Sequence, residues 1–259
     1  MRLFCFGFGY SASYFARACK WESVYGTHRG DLPLSLEARE KLAEATHILL
    51  SIPPNENGDI IIGEKFPAAK WIGYLSTTGV YGNTDGGWVD ETSPLKPAND
   101  RSKWRVLAEN QWLQTGLPVH IFRLSGIYGL GRSAIDELKK GTARRIAKPN
   151  QFFSRIHVED IAQILAASVK NPTPGEIFNC ADDLPAPAAE VVEYAAKLMG
   201  IEPPPSVPFE EAEMSEMARS FYLSSRRVKN DKIKKILNVS LKYPDYKQGL
   251  AAIWHETCL

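Results

Sequence analysis

The chain has 259 residues, 44% of them hydrophobic and 24% charged, a balance that supplies a large core and excludes disorder and collagen-like repeats. Lysine and arginine number 31 against 30 aspartates and glutamates, a formal charge of +1, so no global field holds a polyanion and nucleic acid is not expected as a partner. No stretch reaches the roughly 18–20 apolar residues that cross a bilayer, and the run from Leu3 to Phe8 is broken at Gly7, which suits a strand entering a turn better than a signal peptide. A cytoplasmic protein with no membrane partner is expected. Cys5, Cys19, Cys180 and Cys258 lie far apart without a C-x-x-C pair, and the five histidines show no metal spacing, so reduced thiols and no metal site are expected.

Short apolar runs alternate with helical patterns along the first two thirds of the chain, the pattern of parallel strands joined by crossover helices. Leu3 to Phe6 reads as a first strand, and Ala12, Phe15, Ala16 and Cys19 then recur on one helical face after Gly7-Phe8-Gly9. Further strands are expected at Glu22–Thr27, Thr46–Ile52 and Trp71–Thr77, the last running into Gly79-Val80-Tyr81-Gly82. Between Gly26 and His47 only about twenty residues remain, so either the sheet lacks a strand there or Leu34–Glu44 is the sole crossover. A helix from about Arg101 to Gln114 stops at Gly116, followed by a strand at Val119–Ser125, a helix at Val158–Lys170 and a short strand at Ile177–Ala181. Prolines then break the chain around a helix at Ala188–Met199. The expected architecture is α/β: a Rossmann-type doubly wound parallel sheet over residues 1–182 and a small C-terminal substrate lobe over 183–259, with a last strand or helix returning to the first domain.

Gly7-Phe8-Gly9-Tyr10-Ser11-Ala12 is G-x-G-x-x-A directly after the first strand and opening a helix, the context in which it binds a dinucleotide. Gly7 permits the tight turn, Gly9 lets the backbone approach a pyrophosphate, and Ala12 keeps helix and strand close. The free N–H groups at the helix start face the anion. About 20 residues on, where an acid would bind a ribose 2′-hydroxyl, stands Thr27-His28-Arg29. A guanidinium at Arg29 suits a 2′-phosphate, which favours NADP over NAD. Asp31 keeps the alternative open: a slightly longer turn would bring it to the ribose and send Arg29 to solvent.

These residues resemble the extended and atypical branch of the short-chain dehydrogenase/reductase superfamily, the NAD-dependent epimerase/dehydratase group. The resemblance continues through Ser51-Ile52-Pro53-Pro54, Tyr74 to Gly82, Arg123 to Gly129, Arg155 to Ala162, and a C-terminal stretch from Lys229 to Leu250. It implies a Rossmann sheet binding NAD(P), with Ser51, Ile52, Pro53, Leu124 and Ser125 joining the coenzyme site. It also implies a small carbonyl or sugar-nucleotide substrate, and a catalytic Ser or Thr, Tyr and Lys. The S-x-x-V-Y-G pattern puts the hydroxyl role on Thr77, with Thr78 as understudy. The Tyr-x-x-x-Lys signature is missing. Aligned on Ser102-Lys103, the tyrosine position is Asn99; aligned on Ala108-Glu109, Arg105 replaces the lysine and Arg101 the tyrosine. Lys103 or Arg105 is then the candidate to hold the nicotinamide ribose or polarise substrate. Tyr81 is a possible substitute phenol, although packing behind the strand is the expected role of its ring.

A second function class therefore stands beside the enzyme: a catalytically inert NADP-binding sensor or regulatory protein. The basic run from Arg226 to Lys235 carries Ile233, Ile236 and Leu237 at helical spacing and reads as an amphipathic helix rather than a nucleic-acid patch. Trp88, in a glycine-rich turn, is a candidate to stack on a substrate ring. Related proteins pair through long helices, so a homodimer is an expectation of the resemblance.

Overall fold

The computed structural model describes residues 1–258. In chain order the first half runs β1 (Arg2–Phe6), α1 (Tyr10–Ala18), β2 (Ser23–Gly26), α2 (Leu36–Glu44), β3 (His47–Leu50), β4 (Trp71–Thr77), β5 (Trp88–Val89), α3 (Asp100–Gln114), β6 (Val119–Leu124) and β7 (Gly126–Tyr128). The second half runs α4 (Ala134–Lys139), β8 (Arg145–Ala147), β9 (Arg155–His157), α5 (Val158–Lys170), β10 (Ile177–Cys180), α6 (Ala188–Met199), β11 (Ser206–Pro208), α7 (Glu216–Tyr222), β12 (Arg227–Val228), α8 (Asp231–Ile236) and α9 (Tyr246–Thr257).

Six strands form one parallel sheet in the order β10-β6-β4-β3-β1-β2. Buried strands covered on both faces need unbroken apolar runs, which is what Leu3 to Phe6 and His47 to Leu50 supply. Side chains alternate across the sheet. Leu3, Cys5, Leu49, Trp71 and Phe122 pack with Phe15 of α1 and Ile161 and Leu165 of α5. Phe4, Phe6, Ile48, Leu50, Ile72 and Tyr74 pack on the opposite face with Leu42 of α2 and Trp112 of α3. The α/β expectation and the parallel doubly wound sheet are observed.

Both readings of the short stretch after β2 hold together. β2 is the edge strand, and α2 is the only helix between it and β3. The strand that would flank β2 is absent, which leaves that end of the sheet open. The chain moves to one side from β1 to β2 and to the other from β3 onward, so the order reverses beside β1. Open α/β sheets bind ligands at such a point, beyond the carboxyl ends of their strands.

Later segments return to the first layers. Ile233 and Leu237 around α8 join the α1–α5 side of the core, as the amphipathic reading of this stretch predicts, whereas Ile236 faces solvent. Lys232 and Lys234 pair with Glu176 and Asp183, so those positive charges are spent within the molecule. A separate apolar cluster joins Ile135 of α4, Val191 and Ala195 of α6, and Leu250 and Ile253 of α9. Three two-stranded pairs, β5 with β12, β7 with β9 and β8 with β11, are too short to read from periodicity and fasten this second layer over the sheet's carboxyl edge.

Candidate coenzyme and substrate cleft

Gly7 closes the turn after β1 with φ +84, a left-handed conformation that favours glycine. A Cβ there would also stand 2.9 Å from Ser51 Oγ and 3.1 Å from Ile52 Cγ1. Gly9, the residue capping α1, differs: its Cβ would meet nothing within 4 Å. No side chain caps α1, so the first N–H groups of the helix face open space. The geometry is an anion cradle, with the helix dipole adding to the N–H groups.

Thr27 has a different part from the one its position suggests. It is buried, and its Oγ1 accepts the Gly7 N–H at 3.0 Å, while the Phe8 N–H donates to its carbonyl at 2.7 Å. Thr27 shapes the glycine turn from behind. In the next turn the Asp31 carboxylate accepts the His28 N–H at 2.6 Å, which ties the acid to its own loop. Arg29 is exposed and forms no ion pair among the described residues.

A cleft of about 760 Å³ opens from Gly9, Tyr10, Ser11 and Ala12 across the sheet edge to the second layer. Ser51, Thr77, Thr78, Arg105, Leu124 and Ser125 line it, whereas Gly7, Phe8, Thr27, His28, Arg29, Ile52, Pro53 and Lys103 do not. The register pairs Thr77 of β4 with Leu124 of β6, so Ser125 follows at the same edge. Thr77 Oγ1 accepts the Gly79 N–H at 3.0 Å, leaving its own O–H to donate. Thr78 is buried and its hydroxyl donates to the Leu124 carbonyl at 3.4 Å. Ser125 Oγ is buried without a hydrogen-bond partner. Buried hydroxyls are normally satisfied, so the orphan marks a place for a bound polar group.

Helix α3 decides between the two registers. Asn99 caps it, its side chain accepting the Ser102 N–H at 2.9 Å. Lys103 points to solvent and pairs with Asp100 at 2.9 Å, because it lies on the outer helix face. Arg105 lines the cleft, donating to the Leu75 carbonyl at 2.5 Å and the Tyr74 hydroxyl at 3.2 Å. Arg101 is exposed, so α3 brings no phenol to the cleft. Tyr81 cannot replace it: the ring is fully buried and its hydroxyl joins Asn179 at 2.7 Å and Arg123 at 2.9 Å. That network continues to Glu109, which Arg123 Nη2 meets at 2.7 Å, both side chains being buried.

Sequence reasoning missed the arginines of the second layer. Arg132, Arg155 and Arg226 line the same cleft as Arg105. Arg155 donates to the carbonyls of Phe153 and Ala186; burial depresses its guanidinium, and Asp182 opposes that shift. Arg226 donates to the Gly82 carbonyl at 3.1 Å, yet its Nε is buried without a partner. Burial pushes its pKa down to about 10, with Tyr81 opposing. In sequence Arg226 looks like the start of a solvated basic run; tertiary packing buries it beside Gly82. Trp88 does not line the cleft and is exposed, with Arg227 over its ring at 5.4 Å. His157 caps α5, its Nδ1 accepting the Glu159 N–H, which is a structural role.

Sheet order, glycine cradle and the Thr77–Ser125 edge together define the fold of an extended short-chain dehydrogenase/reductase. Known structures agree. A conserved protein of unknown function from Silicibacter pomeroyi is 43% identical, with 99% of each chain covered and a TM-score of 0.88. The dTDP-glucose 4,6-dehydratase of Bacillus anthracis, solved in complex with NAD, is 18% identical over 99% of this chain and 97% of that one, with a TM-score of 0.76. A human epimerase family protein solved with NADPH is 16% identical, covers 98% of this chain and 99% of its own, and has a TM-score of 0.77. No family model matches the sequence, and no curated protein does. The chain belongs to the same family as the Silicibacter protein and shares its fold with the epimerase and dehydratase structures. Among the described residues no helix is long and apolar enough to cross a membrane.

Proposed function

We propose that the protein is an NADP-preferring oxidoreductase or epimerase/dehydratase-like enzyme acting on a small carbonyl or sugar-nucleotide substrate. One observation carries the reading: the open cradle at Gly9 and the orphan hydroxyl of Ser125 line one cleft with Thr77. These residues fit a dinucleotide, and the structural neighbours named above were solved with NAD and NADPH. The preference for NADP rests on the unpaired Arg29 and on Asp31, whose carboxylate is held by the His28 N–H.

A bound nicotinamide coenzyme supplies the hydride donor or acceptor. The N–H groups at the start of α1 hold its diphosphate, and Arg29 takes the 2′-phosphate. Thr77 donates its hydroxyl to the reacting oxygen and polarises it. Arg105, anchored on Leu75 and Tyr74, has further N–H groups that would hold the nicotinamide ribose or the same oxygen. A positioned general acid contributes roughly 10² to 10⁴ in rate, so turnover without a phenol from α3 is expected to be slow by that order. The same absence favours a second reading, an NADP-binding regulatory protein without turnover.

Tryptophan fluorescence titration with NADPH and NADH, repeated with Arg29→Ala, tests binding and preference together. Hydride transfer to a panel of carbonyl compounds, abolished in Thr77→Val, supports the enzyme. Tight coenzyme binding with no turnover across the panel supports the regulatory protein, and no binding of either coenzyme overturns both.

A further inference from the structure

The charges around the cleft are one-sided. Arg105, Arg132, Arg155 and Arg226 line it, and no aspartate or glutamate does so among the described residues. None of the four takes part in an ion pair, in a chain whose overall charge is only +1. Four guanidiniums in one concave site, with Asp182 near Arg155 but outside the lining, are an arrangement for an anion.

The coenzyme does not account for Arg226. A dinucleotide's diphosphate belongs at the start of α1, and a 2′-phosphate belongs near Arg29, beyond β2. Arg226 enters from the opposite side, ahead of β12, and rests on the Gly82 carbonyl just past the Thr77–Tyr81 turn. That bond uses one Nη1 hydrogen; the Nε–H is buried and unmatched. A buried donor left without a partner is costly, and a guanidinium offers its donors in a planar fork that matches an oxyanion. Phe152, Phe153 and Tyr222 line the same cleft, and apolar surroundings strengthen a charge-assisted bond.

We propose that Arg226 is the anion anchor of the substrate half of the cleft, and that the substrate is a compact carbonyl or hydroxy compound bearing a carboxylate or a phosphate monoester. This rests on the coenzyme reading for the reaction, whereas the anion contact stands on Arg226 itself. Arg155 and Arg132, facing both this cleft and the adjoining groove of about 890 Å³, extend the positive field outward. There Asp136 and Glu137 appear on the wall beside Lys140 and Arg144, so charge of both signs meets the outer part of the substrate while the acid-free cleft holds its anionic end.

The test uses inorganic phosphate and malonate as probes, titrated calorimetrically into the protein with and without saturating NADPH. Arg226→Gln is expected to weaken the preferred probe at least tenfold, while NADPH affinity changes less than twofold; Arg226→Lys retains part of the probe affinity. In the wild-type protein, phenylglyoxal labelling of the Arg226 peptide, followed by mass spectrometry, is expected to slow when the probe is bound, which needs no variant to fold. Protection by phosphate alone assigns a phosphate ester, and protection by malonate alone assigns a carboxylate. Equal probe binding in wild type and Arg226→Gln, or labelling unaffected by either anion, overturns the proposal. If NADPH does not bind while Arg226-dependent anion binding persists, the coenzyme reading fails and the anion site stands.

Discussion

Two glycines of the first turn, Gly7 and Gly9, should respond to the same substitution in opposite ways. Gly7→Ala forces a Cβ into a left-handed residue, at a cost of about 1–2 kcal/mol. It also places that atom 2.9 Å from Ser51 Oγ and 3.1 Å from Ile52 Cγ1, and the Ile52 backbone nitrogen is only 3.4 Å away. A total of about 2–3 kcal/mol corresponds, for a chain of this size, to a fall of about 4–12 °C in Tm. Gly9 sits at φ −95 and ψ −160, extended backbone open to alanine, and its Cβ meets no protein atom within 4 Å. Only the weaker capping preference of alanine acts there, about 1 kcal/mol or less. The new methyl nevertheless occupies the space in front of the α1 N–H groups, where a diphosphate must approach. Gly9→Ala is therefore expected to lose at least tenfold in NADPH affinity, about 1.4 kcal/mol, with Tm lowered by no more than about 2–4 °C. Thermal unfolding and fluorescence titration of both variants separate the two effects. Gly9→Ala binding NADPH as tightly as wild type would refute the assignment of the cradle.

Glu109→Gln leaves the buried Arg123 guanidinium without its counter-charge and should destabilise the fold by about 3–5 kcal/mol, read by urea unfolding; a change under 1 kcal/mol would contradict that role. Asp182 is buried with Oδ2 unpartnered, and burial lifts its pKa to about 8, against the pull of Arg155. The folded state then holds a proton that the unfolded state releases near pH 4, so this group's stabilisation is present at low pH and lost as pH rises to about 8. Asp182→Asn is accordingly expected to melt higher than wild type at pH 8, with the gap narrowing toward pH 5; a gap independent of pH counts against a buried neutral carboxyl. His47 and His157 act in the opposite sense, burial lowering each to about 4, so acid weakens the fold as pH falls from about 6.5 through 4. Arg29→Ala should reduce NADPH affinity several-fold and leave NADH nearly untouched, and equal losses for both coenzymes would remove the 2′-phosphate argument.

The parallel sheet, the strand–turn–helix at Gly7 to Ala12 and the missing tyrosine were legible in the sequence because each depends on neighbours along the chain. Apolar runs, helical periodicity, a glycine that permits positive φ and a caps-and-stops grammar act over a few residues. The short span between Gly26 and His47 likewise announced a lost strand or a lone crossover, and both are observed. Other features needed the folded molecule. Thr27 turned from a ligand candidate into the brace of Gly7 because β2 lies beside β1. Lys103 and Arg105, two residues apart, parted company because a helix sends them to different sides, and packing of α3 against β4 chose which side faced the cleft. Arg226 is the clearest case: it opens a basic run in the sequence and ends with its Nε buried in an acid-free site. Charge burial is set by which distant segments close over a group, and that information lies in the long-range packing of the second layer rather than in any local pattern.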